Sequence, residues 1–356
     1  MARFIALAEE TSAFRTAGTT NLLYYKLLSE SITLAREDYF PETMDHWTVT
    51  SKAEGHFSHS GDFEVLIEPV QWPKLLVLFC QDAFTAPAQQ AATAAYKHTW
   101  GFGADELVTV NGVQIKPFTT RIGVDGVSGG GVDDDRRMTG QMIESITIEG
   151  AAREVLSCTV STVGSGYETL ETAITQAAVT TALETVYTQP YFVFSDVETA
   201  TVGGHDLIAG DGTNTIESFS LTLKRSYDTE QYAQGTRYWH YPTLSGMAEV
   251  TGTIEMSWQD QDEYERFLGA VAATGTQDQA SFEIVIRWEG ATIATTYEYD
   301  LTITIPKAYW TGSSIPVSAR DRIKQTLEYR GIYDPTANNA CKIEVTNIAT
   351  SYSSLA

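Results

Sequence analysis

Several residues have the types and spacings that chemistry uses. His56 and His59 form an H-x-x-H pair, and Asp133, Asp134 and Asp135 run together in the glycine-rich stretch VDGVSGGGVDDDRR (124–137). The chain has three cysteines, Cys80, Cys158 and Cys341, and 46 acidic side chains from which carboxylate pairs could be drawn. Each signal weakens on inspection. In a strand, residues three apart point to opposite faces, so His56 and His59 cannot share a metal without a bulge. Adjacent aspartates do not converge as the alternating ligands of a calcium loop do, and they would repel phosphate. The cysteines are odd in number and widely spaced, without a C-x-x-C pair, which favours buried free thiols over a zinc site or disulfide framework. His46, His98, His205 and His240 stand alone, and no G-x-S-x-G or H-E-x-x-H motif occurs. A glycosidase pair, whose acids can lie far apart in sequence, stays open. The expectation is a protein that is not an enzyme, with no cofactor and no metal.

A chain of 356 residues is long for one core, which suggests about two domains. The longest apolar run, near Leu75–Phe79, is too short to span a bilayer. The start MARFIALAEETSAF lacks the pattern of a signal peptide, which points to a protein made and kept in a cytoplasm or released by lysis. Net charge is −23, with −13 in residues 1–196 and −10 in 197–356, so both halves are acidic. That disfavours direct binding to a phosphate backbone, which uses Lys and Arg stripes.

The chain repeats itself. GDFEVLIEPVQWPKLLVLF (61–79) and GTIEMSWQDQDEYERFLGA (252–270) each begin at glycine, alternate, then turn helix-like, at a separation of 191 (61 to 252). ESITLAR (30–36) matches ESFSLTL (217–223), YKHTWGF (96–102) matches SFEIVIRW (281–288), and GVQIKPFTTRIG (112–123) matches YEYDLTITIPKAYW (297–310). Residues 142–160 and 322–348 both read as paired strands. The ordered set predicts two domains of one fold, 1–195 and 196–356, each mainly β with one flanking helix. Alternation is clearest in 246–258, where Ala248, Val250, Ile254, Met256 and Trp258 oppose Glu249, Thr251, Thr253, Glu255 and Ser257. In 49–68, Phe57, Phe63, Val65 and Ile67 oppose Lys52, Glu54, His56, Asp62 and Glu64. One helix begins near Pro73 and is apolar nearly all round. The other is capped by Asp260 with Glu263 in capping-box spacing and packs through Tyr264, Phe267, Leu268 and Val271. Long strands with one polar face want partners along their edges.

Residues 85–95 read as a linker or surface excursion, 124–137 as an exposed loop, and 167–189 as a segment with a short helix. The loops 39–51 and 226–245 are aromatic, with Tyr39, Phe40 and Trp47 in one and Tyr227, Tyr232, Tyr238, Trp239 and Tyr241 in the other. These rings either tuck onto their own domain or contact another subunit.

The order of strand, long loop, MAEVTGTIEMSW, helix DQDEYERFLGA, SFEIVIRW, YEYDLTITIP and the closing QTLEYRGIYD…CKIEVTNI resembles the tail tube proteins of long-tailed phages. The likeness covers 213–349 and, through the repeat, extends to 29–163. It implies two tandem tail-tube-like β-sandwich or barrel domains, each with a flanking helix. It implies a virion structural protein, assembled in the host cytoplasm, that polymerises into stacked rings around a DNA conduit. A two-domain chain would close a pseudo-sixfold ring as a homotrimer. Implied partners are further copies, the tape measure, tail tip and terminator proteins, and DNA in non-sticking passage, with no membrane. Under this reading Glu54, Asp62, Glu64, Glu249 and Glu255 are candidate lumen charges, and the aromatic loops are inter-ring contacts. The competing reading is a β-sandwich carbohydrate-binding or adhesin-like phage module, with a hydrolase of scattered carboxylates behind it.

Overall fold

The computed structural model describes residues 3–352 except 11–13, 19–21, 26, 43, 45–47, 50, 81–83, 104–115, 125–133, 173–189, 209–215, 230–235, 240–242, 259–260, 270–278, 295 and 318–322. The fold is mainly β, and the described residues form one 18-stranded sheet, a two-stranded ribbon and two short α-helices. The first half carries β1 (Arg3–Glu9), β2 (Leu23–Tyr25), β3 (Leu27–Glu30), β4 (Thr33–Tyr39), β5 (Ala53–Leu66), α1 (Pro73–Cys80), β6 (Phe84–Gln89), β7 (Tyr96–Phe102), β8 (Phe118–Val124), β9 (Asp134–Ala151) and β10 (Ser157–Thr172). The second carries β11 (Val197–Val202), β12 (His205–Asp206), β13 (Ile216–Lys224), the ribbon β14 (Tyr227–Asp228) and β15 (Thr243–Leu244), β16 (Glu249–Ser257), α2 (Asp262–Leu268), β17 (Phe282–Ala294), β18 (Tyr297–Ser314), β19 (Lys324–Gly331) and β20 (Cys341–Asn347).

Antiparallel pairing runs β2–β1–β8–β9–β10–β5–β3/β4 in the first half. In the second half it runs β12–β11–β17–β18–β19–β16–β13. The registers correspond in detail. Gly61 faces Thr162, and Gly252 faces Tyr329. Each half has a β-bulge beside its paired strand, skipping Glu144 in β9 and Thr311 in β18, a separation of 167. Phe118 faces Gln141, and Phe282 faces Ala308, each followed by the same register shift. A bulge adds one residue and a local kink, so its position marks a strand's geometry more sharply than alternation does.

The pairing corrects three correspondences drawn from the sequence. The strand matching β17 is β8, and the strand matching β18 is β9. β7 pairs instead with β6 and with β20. The β6–β7 hairpin is an excursion of the first half, and it drops the separation between matching strands from 191 to 164 (118 to 282). Thr/Val alternation is common enough that any two strands align, so the sequence match followed chain order rather than pairing. The closing segments 324–331 and 341–347 do not form a hairpin either. β19 lies along residues 308–314 of β18, and β20 continues in line along 300–304. Residues 332–340 loop out between them, held by a hydrogen bond from the Asp334 N–H to the Asn339 carbonyl (3.0 Å). In the first half β10 covers the same track on β9 in one strand, with register shifts between Ser161 and Thr162 and between Gly164 and Tyr167.

Three segments also change class. Residues 84–89 pair as a strand, and 167–172 extend β10 rather than entering a helix. Asp134–Arg137, at the end of the expected charged loop, pair with β8, and 125–133 lie outside the described residues. Their polar composition hid strands that are satisfied by ladder hydrogen bonds.

The core is one cluster spanning both halves, including Phe63, Trp72, Ile146, Ile148, Phe219, Leu221, Ile254, Trp288, Ile303 and Tyr329. α1 is buried along nearly its whole length, as its all-apolar sequence requires, and packs on β7 and β9. Glu68 supplies its N-terminal acceptor, taking N–H bonds from Val70 (2.8 Å), Gln71 and Trp72 (2.7 Å). α2 departs from expectation. Asp260 lies outside the described residues, and Gln261 occupies the N-cap without a side-chain bond. Tyr264 and Leu268 are exposed, and the inward position belongs to Glu263. Its carboxylate accepts from Trp310 Nε1 (3.0 Å), sits 3.1 Å from His205 Nδ1, and pairs with Arg266 Nε (3.2 Å). Of the expected stripe, Phe267 packs against the core beside this buried acid, and Val271 lies outside the described residues.

Candidate functional site

The two halves meet where β13 pairs with residues 145–151 of β9. Directly opposed residues on paired strands share a face, so rows can be read across the joint. One row is Glu64, Thr159, Thr147, Thr222, Thr251 and Arg330. The next is Asp62, Ser161, Ser145, Lys224 and Glu249. A third is Ser157, Glu149, Ser220, Thr253 and Glu328. The alternate rows on the other face, such as Val160, Ile146, Leu223 and Val250, are buried. One face of this sheet is therefore core, and the other is a continuous field of hydroxyls and acids. It crosses the joint without a break, and Thr147 and Thr222 hydrogen-bond across it at 3.1 Å.

The charges on this field are partly neutralised. Lys324 bridges Glu217 (2.7 Å) and Glu255 (2.6 Å), Arg330 reaches Glu249 (3.3 Å), and Lys224 reaches Glu144 (3.5 Å). Asp62, Glu64, Glu149 and Glu328 have no ion-pair partner among the described residues. Glu64, Glu149 and Glu154 surround an open recess of about 360 Å³ at the joint. Of the five acids named from sequence, Asp62, Glu64, Glu249 and Glu255 lie on the strands of this field. Glu54 lies at the start of β5, exposed, between Arg36 (3.0 Å) and Arg237. Glu149 and Glu328 were missed, although the alternation Ser145, Ile146, Thr147, Ile148, Glu149 carried the signal.

The aromatic residues divide. Tyr227 and Trp239 are buried in their own chain, and Tyr238 stacks on Phe57 (5.6 Å) and meets Tyr167 edge-on (5.3 Å). Tyr39 and Phe40 are more than half exposed. Trp47, Tyr232 and Tyr241 lie outside the described residues.

Groups with chemical potential are held in structural roles. Gln141 Nε2 donates to His59 Nδ1 (2.9 Å), and His59 Nε2 donates to Glu168 (3.2 Å), which also takes two bonds from Arg136. Burial holds the His59 imidazole below its ordinary pKa. Burial opposes ionisation of Glu168, but Arg136 and His59 outweigh it and hold the carboxyl low. Both shifts act in one direction. The unfolded chain takes up a proton at position 59 that the folded chain refuses, so stability falls as pH drops below about 6.5, and Glu168 adds to the loss below about 4.5. His59→Asn is expected to flatten the fall in melting temperature between pH 7.5 and 5.5. Thermal melts with equal pH slopes for both proteins would remove this role. Cys80, Cys158 and Cys341 are fully buried, and burial pushes the first two thiols up to about 12. No cluster of three or more metal-binding side chains occurs among the described residues.

The fold and this surface define a mainly β protein whose sheet crosses the joint and is faced on one side with hydroxyls and acids. The chain belongs to the phage tail tube protein family, whose model matches residues 2–331. A comparison with curated proteins returned no match.

Proposed function

We propose that this tail tube protein is built of two tube units, 1–195 and 196–356. In this reading three chains close a pseudo-sixfold ring, and the rings stack into the conduit through which DNA leaves the virion. The recurrence of one strand order with matched bulges supports the two units. The observation that carries the function is the unbroken acid and hydroxyl field. A conduit for DNA needs a wall without phosphate-binding stripes, because each Lys or Arg contact releases counterions and holds the polymer. Asp62, Glu64, Glu149 and Glu328 repel it, while the paired Glu249 and Glu255 leave their neighbourhoods near neutral. The hydroxyl rows present small polar groups that water covers easily. Tyr39 and Phe40 are exposed and available for contact with the next ring; Trp47, Tyr232 and Tyr241, assigned the same contact, lie outside the described residues. The chain assembles in the host cytoplasm with tape measure, tail tip and terminator proteins, and acts in the virion.

The test combines negative-stain microscopy with charge reversal. Wild-type chains are expected to form tubes of uniform bore that do not retain DNA fragments. Asp62→Lys/Glu64→Lys/Glu149→Lys tubes are expected to retain DNA at low salt and release it as salt rises. Tubes of the triple variant that ignore DNA at every salt concentration would place these residues away from the lumen. A wild-type protein that stays monomeric would sink the tube reading.

A further inference from the structure

The joint inside the chain has a counterpart that the chain leaves open. β13 uses one edge to pair with β16 and the other to pair with residues 145–151 of β9. The strand in the matching position of the first half is β3/β4. Its inner edge pairs with β5 in the same register, Thr33 opposite Ser60 where Thr222 opposes Thr251. Its outer edge has no strand partner among the described residues. Burial records the difference: Leu223, packed against the joint, is 0% exposed, while the matching Leu34 is 39% exposed. At the other end, residues 145–150 of β9 match 312–317 of β18 and the segment beyond it. Residues 312–314 have β19 on one side and no strand on the other among the described residues, and 315–317 continue the chain beyond β18. One half thus lacks a partner for a β13-like edge, and the other lacks a partner for a β9-like edge.

We propose that β4 of one chain pairs antiparallel with residues 311–317 of a second copy, in the register of the joint between β13 and β9. The proposal rests on the tube reading and names the strands that close its ring. Transferring the register sets Leu34 opposite Ser313, Ile32 opposite Ile315, Thr33 opposite Ser314 and Ser31 opposite Pro316. The hydrogen-bond phase agrees. In the chain, the Arg225 N–H donates to the Glu144 carbonyl (2.8 Å) and the Ala152 N–H to the Glu217 carbonyl (2.8 Å). Pairs such as Leu223 with Ile146 therefore exchange hydrogen bonds, and Ser220 with Glu149 do not. On the β3/β4 edge the Ser31 N–H points inward to the Asp62 carbonyl (2.9 Å), which turns the N–H groups of Ile32 and Leu34 outward; the Ile32 N–H meets the Glu30 carboxylate (2.7 Å) and the Ile32 carbonyl takes a bond from Arg136 Nη1 (3.3 Å), side-chain contacts that the pairing would replace. Pro316 takes the place of Glu149, whose N–H points away from the joint. Its missing donor is therefore not one the pairing needs.

The test is a disulfide across the predicted register. Thr33→Cys/Ser314→Cys places two thiols at a non-hydrogen-bonded pair, where Cα atoms sit about 4.5 Å apart. Assembled protein is expected to give dimers and trimers on a non-reducing gel after mild oxidation, and neither single variant should. Thr33→Cys/Thr311→Cys, three residues out of register, should stay monomeric, and crosslinking as efficient as the in-register pair would overturn the register. Leu34→Pro removes only an open-edge donor, so loss of assembly with an unchanged monomer melt is expected, and normal tubes from this variant would overturn the joint. Double-cysteine chains that form tubes yet run as monomers would overturn the joint and leave the tube reading standing. Wild-type chains that never assemble would overturn both.

Discussion

Gly252→Ala is expected to remove a large share of the chain's stability and to lower its urea midpoint sharply. A methyl group built at this position lies 2.0 Å from the Ser220 carbonyl oxygen and 2.3 Å from the Tyr329 hydroxyl. The first obstacle is backbone on the adjacent strand, so relief requires β13 to move away from β16. The Tyr329 hydroxyl donates to that same carbonyl (2.9 Å), and the ring belongs to the core beneath it. The displacement costs ladder bonds and packing together, about 4 kcal/mol or more, a large share of the stability of an ordinary domain. Gly61 has the same constraint against the Ser31 carbonyl at 2.5 Å, with a positive φ of 150° besides. Gly290→Ala is the control, since its added methyl meets only ordinary contacts at 3.4 Å and beyond. Urea denaturation checks this: a midpoint for Gly252→Ala matching that of Gly290→Ala would refute the close-approach account.

Glu263→Ala is expected to cost about 3 kcal/mol, and Glu263→Gln less. The carboxylate is 1% exposed and serves Trp310, His205 and Arg266 together. Removing it strands an indole N–H in the core and a guanidinium that is only partly wetted. Water recovers some of the loss, because His205 and Arg266 keep about a quarter of their side-chain surface exposed. Glutamine retains an acceptor for Trp310 but turns an amide N–H₂ toward a cation. The expected order of urea midpoints is wild type, Gln, Ala. An Ala variant at least as stable as Gln would show that shape rather than hydrogen bonding holds this helix.

These two sites mark where the sequence was legible and where it was not. The glycines at 61 and 252 were visible as the starts of a repeated pattern, because a strand buried on one face must alternate. Their matching neighbours, Ser31 and Ser220, follow from the same register. α1 was legible because a helix apolar all round has nowhere to go but the interior. α2 was not, since an inward-facing Glu263 looks like a capping residue until Trp310 and His205 arrive from distant strands. The acid field was half legible. Asp62, Glu64, Glu249 and Glu255 followed from strand parity, but that they form one surface depends on the pairing of β9 with β13, which no local pattern encodes. The β6–β7 excursion was half hidden for a related reason: β7 alternates and reads as a strand, but its partner β20 is distant and β6, rich in Ala, alternates poorly.

The pairing of β7 with β20 also has a consequence in time. During synthesis β7 waits for a further 239 residues (102 to 341) before its partner strand exists. The outer side of β9 waits likewise for β13. The leading half of the nascent chain therefore carries two raw edges that only the trailing half can cover. Such a contact map is rich in distant pairings, which slows folding and lengthens exposure to aggregation. The same delay has a use. In the proposed ring assembly, a chain lacks a finished ring-forming surface until nearly all of it has been translated, which would make incomplete products poor substrates for polymerisation.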